Sequence, residues 1–122
     1  MLPIVRQIAV EFKAELQKLY GDNLAELILF GSHARGDYHE ESDIDFAVVL
    51  KDDKTTGYSE LSKLSPVSSE LMLKHSQFVS FLTVSQRKLS ESRLSIYQNR
   101  RYSNMKNHLL YEAQVMLITD SN

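Results

Sequence analysis

Residues 24–50 read LAELILFGSHARGDYHEESDIDFAVVL. Two short apolar runs, Leu24 to Phe30 and Ile44 to Leu50, enclose a polar stretch. Each run has the length of a strand and little polar alternation, so each is read as a strand buried on both faces. Gly31 and Ser32 directly follow the first run, and Asp43 and Asp45 open the second, with ten residues between Ser32 and Asp43. Side chains alternate along a strand, so Asp43 and Asp45 share one face while Ile44 and Phe46 share the other. Two carboxylates on one face repel unless a cation sits between them. Hard oxygen ligands select Mg²⁺ or Mn²⁺, which keep waters and accept substrate phosphates as further ligands. A glycine after a strand lets the backbone approach a phosphate, and the next hydroxyl with neighbouring N–H groups can cradle its oxygens. Gly-Ser alone is usually a turn, and Asp-x-Asp alone is usually solvated surface. Together, flanked by two buried strands, they describe a nucleoside-triphosphate site for phosphoryl chemistry.

Outward from this stretch, the chain alternates helical and extended patterns. Pro3 suits the first turn of a helix, and Ile4, Ile8, Phe12, Leu16 and Leu19 follow at helical spacing. Gly21-Asp22-Asn23 stops that helix. After the polar turn KDDKTTG, Tyr58 to Lys74 carries Leu61, Leu64, Leu71 and Leu73 and reads as a helix that Pro66 should kink or split. Phe78 to Val84 (FVSFLTV) is a third strand, and Ser85 to Ile118 reads as mostly helical, with weak boundaries around Ser103-Asn104. The order helix, strand, strand, helix, strand, helix implies an α/β (α+β) fold, a small mixed β-sheet flanked by helices.

Composition narrows the classes. With 122 residues the chain suits a single domain spanning 1–122. Apolar residues make up 43% and charged residues 25%, as in a globular protein, and the net charge of −2 offers no general basic field for nucleic acid. The absence of cysteine excludes disulfides and thiolate metal sites, so a cytoplasmic location is expected. Arg6 and Glu11 interrupt the apolar start, so no signal peptide is expected. No apolar run approaches the roughly 20 residues that span a membrane.

GSHARGDYHEESDIDFAVVL resembles the signature of the minimal nucleotidyltransferases of the DNA-polymerase-β superfamily. That signature is Gly-Ser, about ten residues, then Asp-x-Asp, often with Ala-Arg-Gly after the Gly-Ser and Ser before the first aspartate; here these are Gly31, Ser32, Ala34, Arg35, Gly36, Ser42, Asp43 and Asp45. The resemblance is strong over about twenty-five residues, and the order of elements agrees more loosely over nearly the whole chain. It implies Mg²⁺ (or Mn²⁺) at Asp43 and Asp45, the catalytic pair. It also implies an ATP triphosphate gripped by Gly31 and Ser32, with Arg35 and Gly36 in a short helix behind. Arg35 has two readings, a phosphate contact or a surface charge. Active relatives usually carry a third carboxylate in the strand that FVSFLTV matches. Ser80 falls there, and serine is neither an anionic ligand nor a competent base at neutral pH. Glu70 is close in sequence, but on the expected preceding helix.

The resemblance further implies transfer of a nucleoside monophosphate, AMP from ATP, to a hydroxyl with release of pyrophosphate. Such small domains lack the extra domain that larger relatives use to hold a substrate, so the acceptor is expected to be bound by a partner or to be the partner. The implied partner is a HEPN-domain toxin, with this chain as the antitoxin. Ser80 favours a second reading, a weak or inactive binding module that neutralises a partner by occlusion. A third is a small-molecule modifier similar to aminoglycoside nucleotidyltransferases. Four other features have ordinary explanations. Arg-Gly-Asp at 35–37 has no adhesive meaning in a cytoplasmic chain. Arg101 and His108, with Tyr111 just after, match the Arg-His spacing of HEPN ribonucleases, but those are all-helical bundles. His33 and His39 lack metal-ligand spacing and are expected to be loop residues. Arg93, Tyr97, Arg100, Arg101 and Tyr102 fit an amphipathic helix better than a nucleic-acid surface.

Overall fold

The structure is a computed structural model that describes residues 2–54, 58–91 and the backbone of 116–118. Helix α1 spans Pro3–Tyr20 with proline in its first turn. A single 3₁₀ turn, Gly21–Asn23, leads into β1, Leu24–Phe30. The one-turn helix α2, Ser32–Arg35, precedes β2, Ile44–Leu50. Helix α3 spans Tyr58–His75, β3 spans Val79–Ser85, α4 is helical over residues 86–91 of its described part, and β4 is Met116–Ile118. The sheet order is β3-β2-β1-β4. β1 is antiparallel to β2 and β4, and β2 is parallel to β3. The expected small mixed sheet flanked by helices is therefore present. Among the described residues no helix is long and apolar enough to cross a membrane.

The two faces of the sheet are covered differently. On one, Val5, Ile8, Ala9, Phe12 and Leu16 of α1 and Leu64 and Leu71 of α3 pack on Leu27, Leu29, Ile44, Phe46, Val48, Leu50 and Val79. Phe12 lies between two strand aromatics, with ring centroids 5.3 Å from Phe46 and 6.3 Å from Phe81, both tilted. Tilted aromatic pairs add to the area they bury. On the other face a smaller cluster joins Ile28, Phe30, Ala47, Val49 and Leu89. Strand alternation thus divides β2, sending Ile44, Phe46 and Val48 to the helices and Asp45, Ala47 and Val49 to the far side.

Four expectations need correction. Leu19 of α1 and Leu61 and Leu73 of α3 are exposed, because the buried stripes run through Val5 and Ala9 and through Leu64, Ser68 and Leu71. Ser68 can occupy that stripe because its hydroxyl donates to the Val79 carbonyl at 2.9 Å. Pro66 does not split α3. It cannot donate to the Ser62 carbonyl, but both residues face solvent, where water can satisfy that oxygen. β3 begins one residue late, leaving Phe78 exposed while its carbonyl accepts from the Ile44 N–H at 2.8 Å. The helical reading of Ser85 to Ile118 fails at its end, where Leu27, Ile28 and Leu29 pair with Ile118, Leu117 and Met116. A short apolar run fits helix or strand equally, and here the edge of β1 supplies backbone partners. Arg93, Tyr97, Arg100, Arg101, Tyr102, His108, Tyr111 and the Ser103-Asn104 boundary lie outside the described residues.

Candidate active site

Strand register gathers the candidate residues at one end of the sheet. Phe30 pairs with Asp45 across the antiparallel β1–β2 ladder, and Asp45 pairs with Ser80 across the parallel β2–β3 ladder. Residues in register share a face, so Asp45 and Ser80 meet there. The Ser80 hydroxyl donates to Asp45 Oδ1. Val79 and Phe81 on either side of Ser80 turn to the helix layer. Asp43 stands just before β2 and is exposed, whereas Asp45 is partly buried.

Gly31 closes the other side of the Asp45 carboxylate. Its φ of 76° and ψ of −155° lie in a region that essentially only glycine occupies. A Cβ there would overlap Asp45 Oδ2 and come within 3.3 Å of its Cγ. The glycine is thus required by this carboxylate before any phosphate is considered. From Gly31 the chain makes one helical turn, with Ala34 and Arg35 N–H groups donating to the Gly31 carbonyl at 3.1 and 3.0 Å. Gly36 ends that turn in the left-handed conformation, φ 91°, its N–H donating to the Ser32 carbonyl at 2.8 Å. No atom lies within 4 Å of where a Gly36 Cβ would sit, so its backbone conformation accounts for this glycine. Arg35 pairs with Asp37 at 3.1 Å on the surface.

The electrostatics match this geometry. Burial pushes the Asp45 carboxyl above its ordinary range, and the negative charge of Asp43 pushes the same way. The Ser80 hydroxyl and the nearby His33 and Arg35 oppose the shift without cancelling it. Among the described residues no cluster of three or more metal-ligating side chains exists, and Asp43 and Asp45 are the two carboxylates at this end of β2. Such a donor set fits a hard divalent ion that draws further ligands from water and phosphate.

Glu70 is not a substitute third carboxylate. It lines a groove between α1 and α3 with Glu11, Glu15, Val67, Leu71 and Lys74, on the opposite side of the sheet from Asp45. His33, expected in a loop, is instead buried at 6% exposure within α2. Its ring nitrogen Nε2 lies 3.3 Å from the Ser42 carbonyl, and its ring stacks on Tyr38 at 4.8 Å. Metal-ligand spacing could not reveal this residue. Its place one step past the Gly-Ser pair, facing the return of the chain to β2, was the available signal. His39 remains in the loop, where its backbone N–H donates to the Ser42 hydroxyl at 2.8 Å.

A half-buried carboxylate is thus clamped between a glycine turn and a neighbouring strand, with a second carboxylate two residues away. Residues 10–109 match the nucleotidyltransferase domain family, and the chain belongs to that family. It is 39% identical over 74 residues, 61% of this chain and 73% of the other, to a candidate protein adenylyltransferase of Methanocaldococcus jannaschii. Its fold is similar to a toxin–antitoxin structure with AMP-PNP, at TM-score 0.52 and 18% identity over 97% of this chain and 73% of that one. A candidate nucleotidyltransferase of Sulfolobus solfataricus is similar at TM-score 0.52 and 26% identity, over 71% of this chain and 72% of that one.

Proposed function

We propose that this chain is a minimal nucleotidyltransferase domain, cytoplasmic, that moves AMP from ATP to a hydroxyl of a HEPN-type toxin and so acts as its antitoxin. The observation that carries the reading is the convergence of Gly31, Asp45 and Ser80 from three adjacent segments beside Asp43. The adenylyltransferase name of the Methanocaldococcus relative and the toxin–antitoxin fold neighbour with AMP-PNP support the choice of nucleotide and partner.

In this reading Asp43 and Asp45 would hold Mg²⁺, whose charge would offset the desolvation of Asp45 and its repulsion from Asp43. The bound ion would neutralise phosphate charge and align the transferring group. The Gly31 backbone and the Ser32 hydroxyl cradle triphosphate oxygens, with Arg35 as a long-range positive charge. The acceptor hydroxyl oxygen attacks the α-phosphorus and gives its proton to solvent water, the bond from the α-phosphorus to the α,β-bridging oxygen breaks, and pyrophosphate leaves with the electron pair. Ser80 neither binds metal nor takes the acceptor proton; its hydroxyl holds Asp45 in one orientation.

Ser80 also favours the second reading, a binding module that silences its partner by occlusion. Labelled ATP, Mg²⁺ and a HEPN-domain partner separate the two. The first reading expects slow label transfer that Asp43→Asn abolishes. Ser80→Asp should accelerate it, since a general base contributes roughly 10²–10⁴-fold. Absence of transfer with undiminished partner binding would establish occlusion instead.

A further inference from the structure

His33 carries an inference that depends on the site reading above but adds a residue to it. Its Nε2 approaches a carbonyl, that of Ser42, and a carbonyl can only accept. Nε2 must therefore bear the hydrogen. The other ring nitrogen, Nδ1, is buried and has no hydrogen-bond partner among the described residues.

The same ring lies nearly parallel to Tyr38, with an interplanar angle of 12°. Tyr38 and Ser42 belong to the irregular segment between Gly36 and Asp43. That segment has its own closure, because Ser42 N–H donates to the His39 carbonyl at 3.0 Å and Glu41 N–H to His39 Nδ1 at 3.2 Å. His33 ties this closed loop to α2 at two points, one of them the residue directly before Asp43.

We propose that His33 is a positioning residue, which locks the Gly31–Ser32 turn to the Asp43 end of β2 so that phosphate grip and carboxylate pair move as one unit. The Asp43 carboxylate is exposed and lies outside the strand ladder, so without the lock its place relative to Asp45 would depend on the loop alone. A buried ring that merely fills space would need neither the Nε2 hydrogen nor the carbonyl.

Two substitutions separate those roles. His33→Phe keeps the ring and its stack on Tyr38 but removes the donor, whereas His33→Gln keeps a donor at similar reach and loses the ring. The Mg²⁺ dependence of ATP binding is measured by calorimetry on the full chain, with thermal unfolding in parallel. His33→Phe should need about 10-fold more Mg²⁺ for half-maximal binding, in the range that lost partners of metal ligands cost. His33→Gln should recover most of that loss even where its unfolding temperature is the lower of the two. An unchanged Mg²⁺ requirement in His33→Phe, or a His33→Gln variant no better than it, would overturn the proposal. Should His33→Phe fail to fold, ¹⁵N NMR of the wild-type imidazole decides, since a hydrogen found on Nδ1 rather than Nε2 removes the lock. A wild-type chain that does not bind Mg²⁺-ATP counts against the site reading itself, and the NMR measurement still tests the His33–Ser42 bond.

Discussion

The two faces of the sheet serve opposite ends. The α1–α3 face is apolar and its charged groups are neutralised at the margin. Glu11 there accepts hydrogen bonds from Lys74 and Gln7, each at 2.7 Å, and lies 3.1 Å from His75 Nε2. Those bonds, Lys74 first, hold the Glu11 carboxyl at about 2. Glu60, which unlike Glu11 is buried, is pushed up by desolvation but held below its usual range by hydrogen bonds from Tyr20 and Ser59 and by Lys63. On the far face burial wins, and Asp45 titrates above its usual range. Carboxylates on the helix side are arranged for stability, whereas Asp45 is kept at a cost that a cation would offset.

The sharpest way to break the comparison is on the helix side. Phe12→Ala should cost about 3–5 kcal/mol, since the ring is fully buried and bridges α1 to two strands. Chemical denaturation measures it, and a loss below about 1 kcal/mol would mean the core collapses around the gap.

A second test on the helix side is Glu11→Gln, expected to cost about 0.5–1 kcal/mol near neutral pH, because Lys74 lies in solvent, which screens the pair. The sign follows from the depressed carboxyl. Its contribution is present above the ordinary value of 4.5 and is lost as pH falls toward about 2. Wild type and variant should therefore converge in acid, and a constant gap across that range would refute the pairing. Nucleotide binding should not change.

On the far face Gly31→Ala should cost about 1–3 kcal/mol from backbone strain and displace the Asp45 carboxylate as well. Mg²⁺-ATP affinity should fall more steeply than for Ser32→Ala, which removes one hydroxyl. A variant that loses stability but binds normally would show that the Gly31–Asp45 contact does not matter to the site.

The smallest effect should have the opposite sign. Asp45→Asn removes a charge that burial disfavours and can still accept from Ser80, so the metal-free protein should melt slightly higher. The wild-type handicap should shrink as pH falls, because a carboxyl raised in the folded state binds its proton earlier than in the unfolded chain. Mg²⁺-dependent ATP binding should be lost. Lower stability in Asp45→Asn would mean that the carboxylate, like Glu11, serves the fold.

The order of elements through β3 could be read from residues 2 to 91 because those signals are local. Proline opened α1, the Gly-Asp-Asn turn closed it, and two apolar runs bracketed the Gly-Ser and Asp-x-Asp pairs. The resemblance put Ser80 at the third-carboxylate position, and strand parity sets it beside Asp45 with Val79 and Phe81 turned away. What parity could not supply was anything set by contacts distant in the chain. The Met116–Ile118 run became a strand because β1 offered it an edge, not because its residues excluded a helix. Glu70 was removed from the site by the side of the sheet on which α3 packs, and His33 was drawn into it by a carbonyl nine residues away. Gly31 shows the division within one residue. The sequence called for a glycine at a phosphate, while the folded chain requires it first because the Asp45 carboxylate, brought by the antiparallel register, occupies the space a side chain would need.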